Sequence, residues 1–563
     1  METWTERKFQ MPKRRQLYIL IPFALFYAAA GMLGQLEKAS KLGVVHNLGR
    51  GILWFVCSYL ALLVLCMAVS AVTLGPGGDT NTLPSGGRKG KWYVYGLLSL
   101  ACLICYLPYF LMYYPTWLNN DAVWQIEQAL GLAAKSNHHP YFHTIILKYL
   151  FLAGYRLSGT YTGGAAFYTF FQVLIMAMFF GFLLYQLYKR GTRPVWLFAA
   201  FLFYAVLPIN ALLTICMGKD EFFTAALVLF AWATVEWNLD GEEMYNMAAE
   251  QNTHGQEDIK VRRRHIFRWI MYFVIGLLLC LLRSNGIFIF LGTAFFLVVA
   301  RKRKGKFPVR TFLCMTAVIL CYLIYKGPVL HGLHVGPPDT IEGLTMPTQH
   351  VLCAYLKGGN LTEEEIAMID QVVPVDEVGD YYNPWLFDIV KNYIRSEGNQ
   401  QVIADNKWEY LKLWFRVGLR SPLQYLVAEV RQTAGYWAYR VKDYEYVYGD
   451  YYMVDNPFGI TTERKLFTYD GELAMHDFLM WFRDLYNNVW SLGLNTWVMV
   501  FGIAYLVYHR RSILVYAPFI MMLATLLLAT PVYNEFRYAY GLFVALPLLL
   551  SYSFRGDTDE KMV

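Results

Sequence analysis

Charge is scarce in this chain of 563 residues. Asp, Glu, Lys and Arg make up 16% of it, against about 25% in a typical soluble protein. So few charges exclude a disordered polyelectrolyte, and they could not cover the surface of a water-soluble protein this apolar. No internal or collagen-like repeat is present. A disulfide framework is missing too. Of the 9 cysteines, Cys57, Cys66, Cys102, Cys105, Cys216, Cys280, Cys314 and Cys321 sit inside apolar runs, and Cys353 alone lies in a long polar segment. The Cys102–Cys105 pair has C-x-x-C spacing but is flanked by Leu, Ala, Ile and Tyr, which reads as packing inside a helix. Met11-Pro-Lys-Arg-Arg15 precedes a long apolar run with no small-residue cleavage site, so it reads as a signal anchor. The net charge of +7 comes from short basic runs beside apolar stretches, a pattern that sets membrane topology and gives no nucleic-acid partner.

What is present is apolar and aromatic. Hydrophobic residues make up 56% and aromatic residues 17%. A membrane-crossing helix needs about 20 mostly apolar residues. Candidate stretches fall at 16–34, 51–74, 93–114, 164–187, 194–213, 221–237, 267–283, 286–300, 311–328, 491–509, 512–530 and 538–554. The expected fold is therefore an all-α polytopic membrane protein of about twelve spans, with a tight turn at Arg283-Ser-Asn-Gly286. Basic clusters at Lys13-Arg14-Arg15, Arg88-Lys89-Gly-Lys91, Lys189-Arg190, Arg262-Arg263-Arg264, Arg301-Lys302-Arg303-Lys304 and His509-Arg510-Arg511 then fall on one side. The positive-inside rule makes that side cytoplasmic, with both termini on it.

The expected organisation is a transmembrane module over 1–328, an external segment over 329–490, and C-terminal helices with a short cytoplasmic tail over 491–563. Residues 115–163 form a first external loop, in which the apolar stretch 141–157 carries His143, Lys148 and Arg156 and reads as an interfacial helix. The 329–490 segment reads as mostly helical. Thr362 to Glu365 is a capping box, Asn383-Pro384 a turn, and Trp408 to Val441 a helical pattern broken at Ser421-Pro422. Gly75–Gly90 and 238–265 read as cytoplasmic loops.

The notable polar clusters all fall on the outer side. They are Asn119-Asn120-Asp121 with Trp124-Gln125, Ser136-Asn137-His138-His139-Pro140 with His143, Gly218-Lys219-Asp220-Glu221, Arg283-Ser284-Asn285-Gly286 and Asn534-Glu535-Phe536-Arg537-Tyr538. Ionisable groups at a membrane boundary are costly unless solvated or paired, which makes each a candidate site residue. Each also has a structural reading. Asp121 can cap a helix starting at Ala122. His139 and His143 stand at i, i+4, with Pro140 suited to a first turn, a spacing that can hold a metal but lacks a placed third ligand. Lys219-Asp220-Glu221 can be a polar turn, and Arg283 and Arg537 can be interface anchors.

The order of these features resembles the GT-C superfamily of integral-membrane glycosyltransferases. Asn120-Asp121, Trp124-Gln125, Asn137-His138-His139-Pro140, Gly218-Lys219-Asp220-Glu221, Arg283-Ser-Asn-Gly286 and Glu535-Phe-Arg537-Tyr538 are similar to a bacterial branch of such proteins. So are Leu361-Thr362-Glu363-Glu364-Glu365 and Tyr382-Asn383-Pro384, and the likeness spans about residues 93–550. It implies a bacterial plasma membrane, a polyprenyl-phosphate-linked sugar donor, and an external glycan, lipid or protein acceptor. It places the catalytic Asp at Asp121, in the first external loop. The Asp-Glu pair of several such enzymes is absent there, since Ala122 follows, although Asp220-Glu221 supplies one elsewhere.

Inverting transfer needs a base for the acceptor hydroxyl and positive charge for the departing phosphate. Asp121 is the expected base. Lys219, Arg283 and Arg537 are expected at the phosphate. Asp220 is expected to position the acceptor or a divalent cation, Mg or Mn. Asn120, His138, His139, Glu221, Asn285, Glu535 and Tyr538 complete the expected site. A transporter or flippase for lipid-linked saccharides, a non-catalytic subunit or receptor, and a polymerase or ligase remain open as rivals. The first predicts mid-span charges and repeated halves, and neither stands out.

Overall fold

The computed structural model describes residues 12–38, 48–73, 90–249, 255–303, 309–439, 453–463, 465–466 and 469–554. The described residues are mostly helical and contain no strand, only three isolated β-bridges. Six helices are long and apolar enough to cross a membrane: Arg14–Gln35, Gly49–Ala71, Trp92–Met112, Tyr161–Lys189, Pro194–Ile215 and Thr311–Gly332. Leu473–Asn487 and Leu492–Tyr508, bent by 51°, make a seventh if they act as one span.

The other expected spans also fall on helices. Ile266–Leu282 and Leu514–Ala529 are apolar but shorter. Asp220–Ala249, Gly286–Arg303 and Phe536–Phe554 carry or adjoin charged residues that dilute their apolar stretches. Length and composition thus mark six or seven crossings where twelve were expected.

The stretch 238–265, expected as a loop, is mostly helix. Asp220–Ala249 runs through its first part and Gly255–Leu282 begins in its second. Charged residues remain compatible with an α-helix once it leaves lipid, so hydropathy marks the end of an apolar stretch and not the end of the helix. The expected loop Gly75–Gly90 and the 555–563 tail lie outside the described residues, apart from Gly90. So do Arg88, Lys89 and Lys304 of the basic clusters, and Arg440 and Val441 at the end of the expected helical pattern.

The largest core joins the helices Trp92–Met112, Tyr161–Lys189, Asp220–Ala249, Gly255–Leu282, Leu492–Tyr508, Ala517–Ala529 and Phe536–Phe554. The helix Tyr141–Ser158 lies against Tyr161–Lys189 at van der Waals distance because glycines line the crossing. A Cβ at Gly154 would stand 2.6 Å from Gly163 O, and one at Gly164 2.9 Å from Phe151 O.

The described residues of the 329–490 segment are mostly helical but do not form one body. Residues 341–417 build a small core of their own around Leu352, Ile369, Phe387 and Val390. Met453, Val454, Phe458 and Ile460 instead pack on the helices Asn120–Leu130 and Tyr141–Ser158. The helix Pro422–Trp437 packs on Ile21–Lys38 and Leu492–Tyr508. The capping box forms as expected, with Thr362 and Glu365 bonding reciprocally, and the helix Lys407–Arg420 ends at Ser421 before Pro422.

Candidate functional site

Two loops far apart in sequence are tied backbone to backbone. Trp117 N donates to Ile215 O at 3.1 Å, and Met217 N donates to Trp117 O at 3.0 Å. Gln172 Nε2 donates to Thr214 O and Cys216 O from the side. The first loop leads into the short helix Asn120–Leu130, the second into Asp220–Ala249. Both helix starts therefore face one place, and Asp121, Lys219 and Asp220 follow from that tie.

Asn119 is the N-cap of the short helix, its Oδ1 accepting from Ala122 N at 2.8 Å. This corrects the capping reading of Asp121. That residue sits inside the first turn, and its carboxylate is spent elsewhere. Lys219 Nζ donates to Asp121 Oδ2 at 3.1 Å, His139 Nε2 lies 4.0 Å from Oδ1, and Arg537 Nη1 lies 3.8 Å from Oδ2. Lys219 above all, with His139 and Arg537, holds the Asp121 carboxyl well below the usual carboxylate range, against the partial desolvation of its site.

Asp220 sits behind this group, 5% exposed. Its Oδ1 is 3.4 Å from Arg283 Nη1, and its Oδ2 is 3.9 Å from Arg537 Nη1. One guanidinium, that of Arg537, thus faces both aspartates. Glu535 Oε1 accepts from Arg537 Nε at 3.0 Å. The Arg283 guanidinium lies over the rings of Tyr538, at 4.5 Å, and Phe223, at 5.5 Å. Tyr436 holds the segment that carries Glu535 and Arg537, accepting from Glu535 N at 3.1 Å and donating to Val532 O at 2.9 Å.

Asp121, His139, Lys219, Asp220, Arg283, Glu535, Arg537 and Tyr538 therefore meet at one end of the bundle. Glu221 is buried beside them, and a Cβ on Gly218 would stand 3.3 Å from its Oε2. Asn120 is exposed at the start of its helix. Asn285 turns away, donating to Thr525 Oγ1 at 3.0 Å. His138 faces Glu342 of the 329–490 segment at 3.6 Å, and burial pushes its pKa down.

The expected His139–His143 pair does not form one helical face. The helix starts at Tyr141 with Pro140 as its N-cap, which leaves His139 outside it. His143 is fully buried and committed, its Nδ1 hydrogen-bonded with Gln125 Oε1 at 3.0 Å and its Nε2 with Tyr168 Oη at 2.7 Å. Burial pushes both histidines down to about 3, so each is neutral at pH 7. The residues do not fit an Mg or Mn ion either. Each oxygen of Asp220 faces a guanidinium, and among the described residues no three His, Cys, Asp or Glu side chains are placed to hold one metal ion.

Gln172, Tyr436 and Glu342 escaped the sequence reading, and so did the capping role of Asn119, which was named only in the first polar cluster. Asn119 had a signal, an Asx residue just before a helix. The others act across long sequence separations that no local pattern records.

No curated protein and no solved structure matches this chain. A family described as a family of unknown function, DUF6020, matches residues 133–561, from just after the helix that carries Asp121 through the last described helix. The chain belongs to that family.

Proposed function

We propose that the protein is a GT-C-type membrane glycosyltransferase that moves a sugar from a polyprenyl-phosphate-linked donor to an acceptor at the outer face of the membrane. In this reading the chain crosses the bilayer about twelve times. Both termini are cytoplasmic and residues 329–490 lie outside. The observation that carries the reading is the placement of Asp121. Its side chain is 36% exposed, at the open edge of a cluster whose buried side holds Lys219, Arg283 and Arg537.

The cluster is compatible with the following roles. The acceptor oxygen attacks the anomeric carbon, and the carbon–oxygen bond to phosphate breaks with its electron pair leaving on the phosphate. The acceptor proton passes to Asp121. Lys219 and Arg537 take up the phosphate charge, Arg537 through its planar fork. Asp220 and Glu535 hold the guanidinia in place and are positioning residues. A carboxylate paired with Lys219 is a weak base. The donor phosphate competes for Lys219 and Arg537, so donor binding releases Asp121 and raises its basicity. The base is thereby switched on only when a donor is present.

The test is transfer by the purified full chain in nanodiscs with polyprenyl-phosphate-linked sugars. Sugar transfer in wild type, and its loss in Asp121→Asn, is expected. Movement of the intact lipid between leaflets without bond cleavage would overturn the reading in favour of a transporter.

A further inference from the structure

A second junction gathers buried polar atoms that lack partners. It lies where the strip Tyr382–Phe387 crosses residues 531–534 against the helix Pro422–Trp437. Tyr533 N donates to Trp385 O at 2.9 Å and Phe387 N to Pro531 O at 2.8 Å, with Leu386 and Val532 bridged antiparallel. Asn534 fills the junction. Its side chain packs where Gly435 leaves room, since a Cβ at Gly435 would come 2.5 Å from Asn534 Cβ. Asn534 is 0% exposed, and neither its Oδ1 nor its Nδ2 has a hydrogen-bond partner among the described residues.

Arg431 stands one helical turn before Gly435, on the same face. Its guanidinium carbon lies 5.9 Å from the Trp385 ring centre, and its buried Nε is unpartnered. Among the described residues it forms no ion pair. Trp385 Nε1 and Gln349 Oε1 are unpartnered as well, while the Tyr382 hydroxyl is engaged by the Cys353 thiol. Gln349 is oriented, its Nε2 donating to Asn383 O at 2.8 Å and Gln432 Oε1 at 3.0 Å. Tyr382, Trp385 and Arg431 are only half-buried, so the junction opens to the surface.

Folded proteins pair nearly all their buried polar groups, so several orphans around one unpaired guanidinium call for an occupant. Donors outnumber acceptors here, and the fixed charge is positive. A guanidinium selects an oxyanion, and the Asn, Gln and Trp groups suit ring hydroxyls. We propose that this junction binds a sugar bearing an oxyanion, carboxylate or phosphate, with Arg431 on the anion and Asn534, Gln349 and Trp385 on the ring. None of these residues belongs to the Asp121 cluster, so the site stands independently of glycosyl transfer.

The experiment measures binding of glucuronate, glucose 6-phosphate, inorganic phosphate and glucose to the full chain in nanodiscs without any lipid-linked sugar. At least one of glucuronate and glucose 6-phosphate should bind, and the tighter of the two identifies the oxyanion. Glucose should bind at least about tenfold more weakly, the size of one charged hydrogen bond. Arg431→Gln should weaken the anionic sugar by about tenfold or more, and Trp385→Phe, which keeps the ring and loses the N–H, by a few-fold. Lys219→Gln and Arg537→Gln should leave that affinity unchanged. Loss in those two variants with retention in Arg431→Gln would put the anion in the Asp121 cluster and overturn the proposal. Inorganic phosphate binding as tightly as glucose 6-phosphate would overturn the ring contacts. No anion binding at all would leave the orphaned groups to water.

Discussion

Lys219 donates to Asp121 at 3.1 Å across 98 residues of sequence. Lys219 is 9% exposed, so its ammonium has little water to lean on. The two side chains satisfy each other, and each sets the other's chemistry. Asp121 is kept ionised at the open edge, and Lys219 is held just behind it, within reach of an anion that displaces the carboxylate.

Asp121 and Asn119 separate chemistry from helix capping. Asn119→Ala removes the cap and should cost about 0.5–2 kcal/mol of stability with transfer activity retained. Asp121→Asn leaves the Asn119 cap intact. It should cut transfer about 10²–10⁴-fold, the usual contribution of a general base, with a smaller loss of thermal stability from the unpaired Lys219. Transfer assays and thermal unfolding of the two variants check this. Wild-type turnover in Asp121→Asn would remove it as the base.

Asp220 should behave as a structural pillar. Both oxygens face guanidinia, and the residue is buried. Asp220→Asn leaves Arg283 and Arg537 facing a neutral amide, and breaking a buried pair typically costs about 3–5 kcal/mol. The apparent unfolding temperature should fall clearly. Glu364→Gln, on the exposed face of a helix, should change stability by no more than about 0.5 kcal/mol.

Some of this was legible in the sequence and some was not. The helical, membrane-embedded character follows from the scarcity of charge and the long apolar runs. The residues around Asp121 were findable because ionisable groups beside apolar runs are unusual. The extent of Asp220–Ala249 was missed because Glu and Asp after position 235 end an apolar stretch without ending a helix. Asp220 was read as an acceptor or metal ligand because sequence shows a carboxylate but not the two arginines, 63 and 317 positions later, that occupy it. His138 and Glu342 meet across 204 positions, where no periodicity reports contact.

Acid should destabilise the protein through His139 and His143. Both are pushed down to about 3 in the fold, against about 6.5 when unfolded. Between those values the unfolded chain binds the extra protons. Stability is therefore intact above about pH 6.5 and falls as pH drops, by about 1.4 kcal/mol per unit for each histidine. Asp121 works lower. Its pKa is depressed, so its contribution persists until the pH falls below about 3.9. Unfolding between pH 7 and 4.5 should show a steeper acid loss in wild type than in His139→Gln, by one proton. Equal slopes would mean that His139 titrates normally.

Sidedness has a direct test. The proposed topology puts residues 329–490 outside. A cysteine placed at Asn360, which is exposed beside Ser421, should react with an impermeant thiol reagent in intact cells. Reaction only after permeabilisation would put the Asp121 cluster on the cytoplasmic side and defeat an external donor site.

The coupling between Lys219 and Asp121 makes the most specific demand on the transferase reading. If the donor phosphate displaces Asp121 from Lys219, removing the ammonium should act in two opposed ways. Lys219→Gln deletes a charged contact to the donor, which should raise the donor KM by about tenfold or more. It also lifts the largest force holding the Asp121 carboxyl down, so the free enzyme's acidic limb in kcat/KM should move to higher pH. With donor bound, wild-type Asp121 is already released, so the acidic limb of kcat should move far less. A profile in which both limbs stay fixed while KM rises would mean that Lys219 binds donor without governing Asp121. A fall in kcat with no change in KM or pH profile would place Lys219 in the transition state alone.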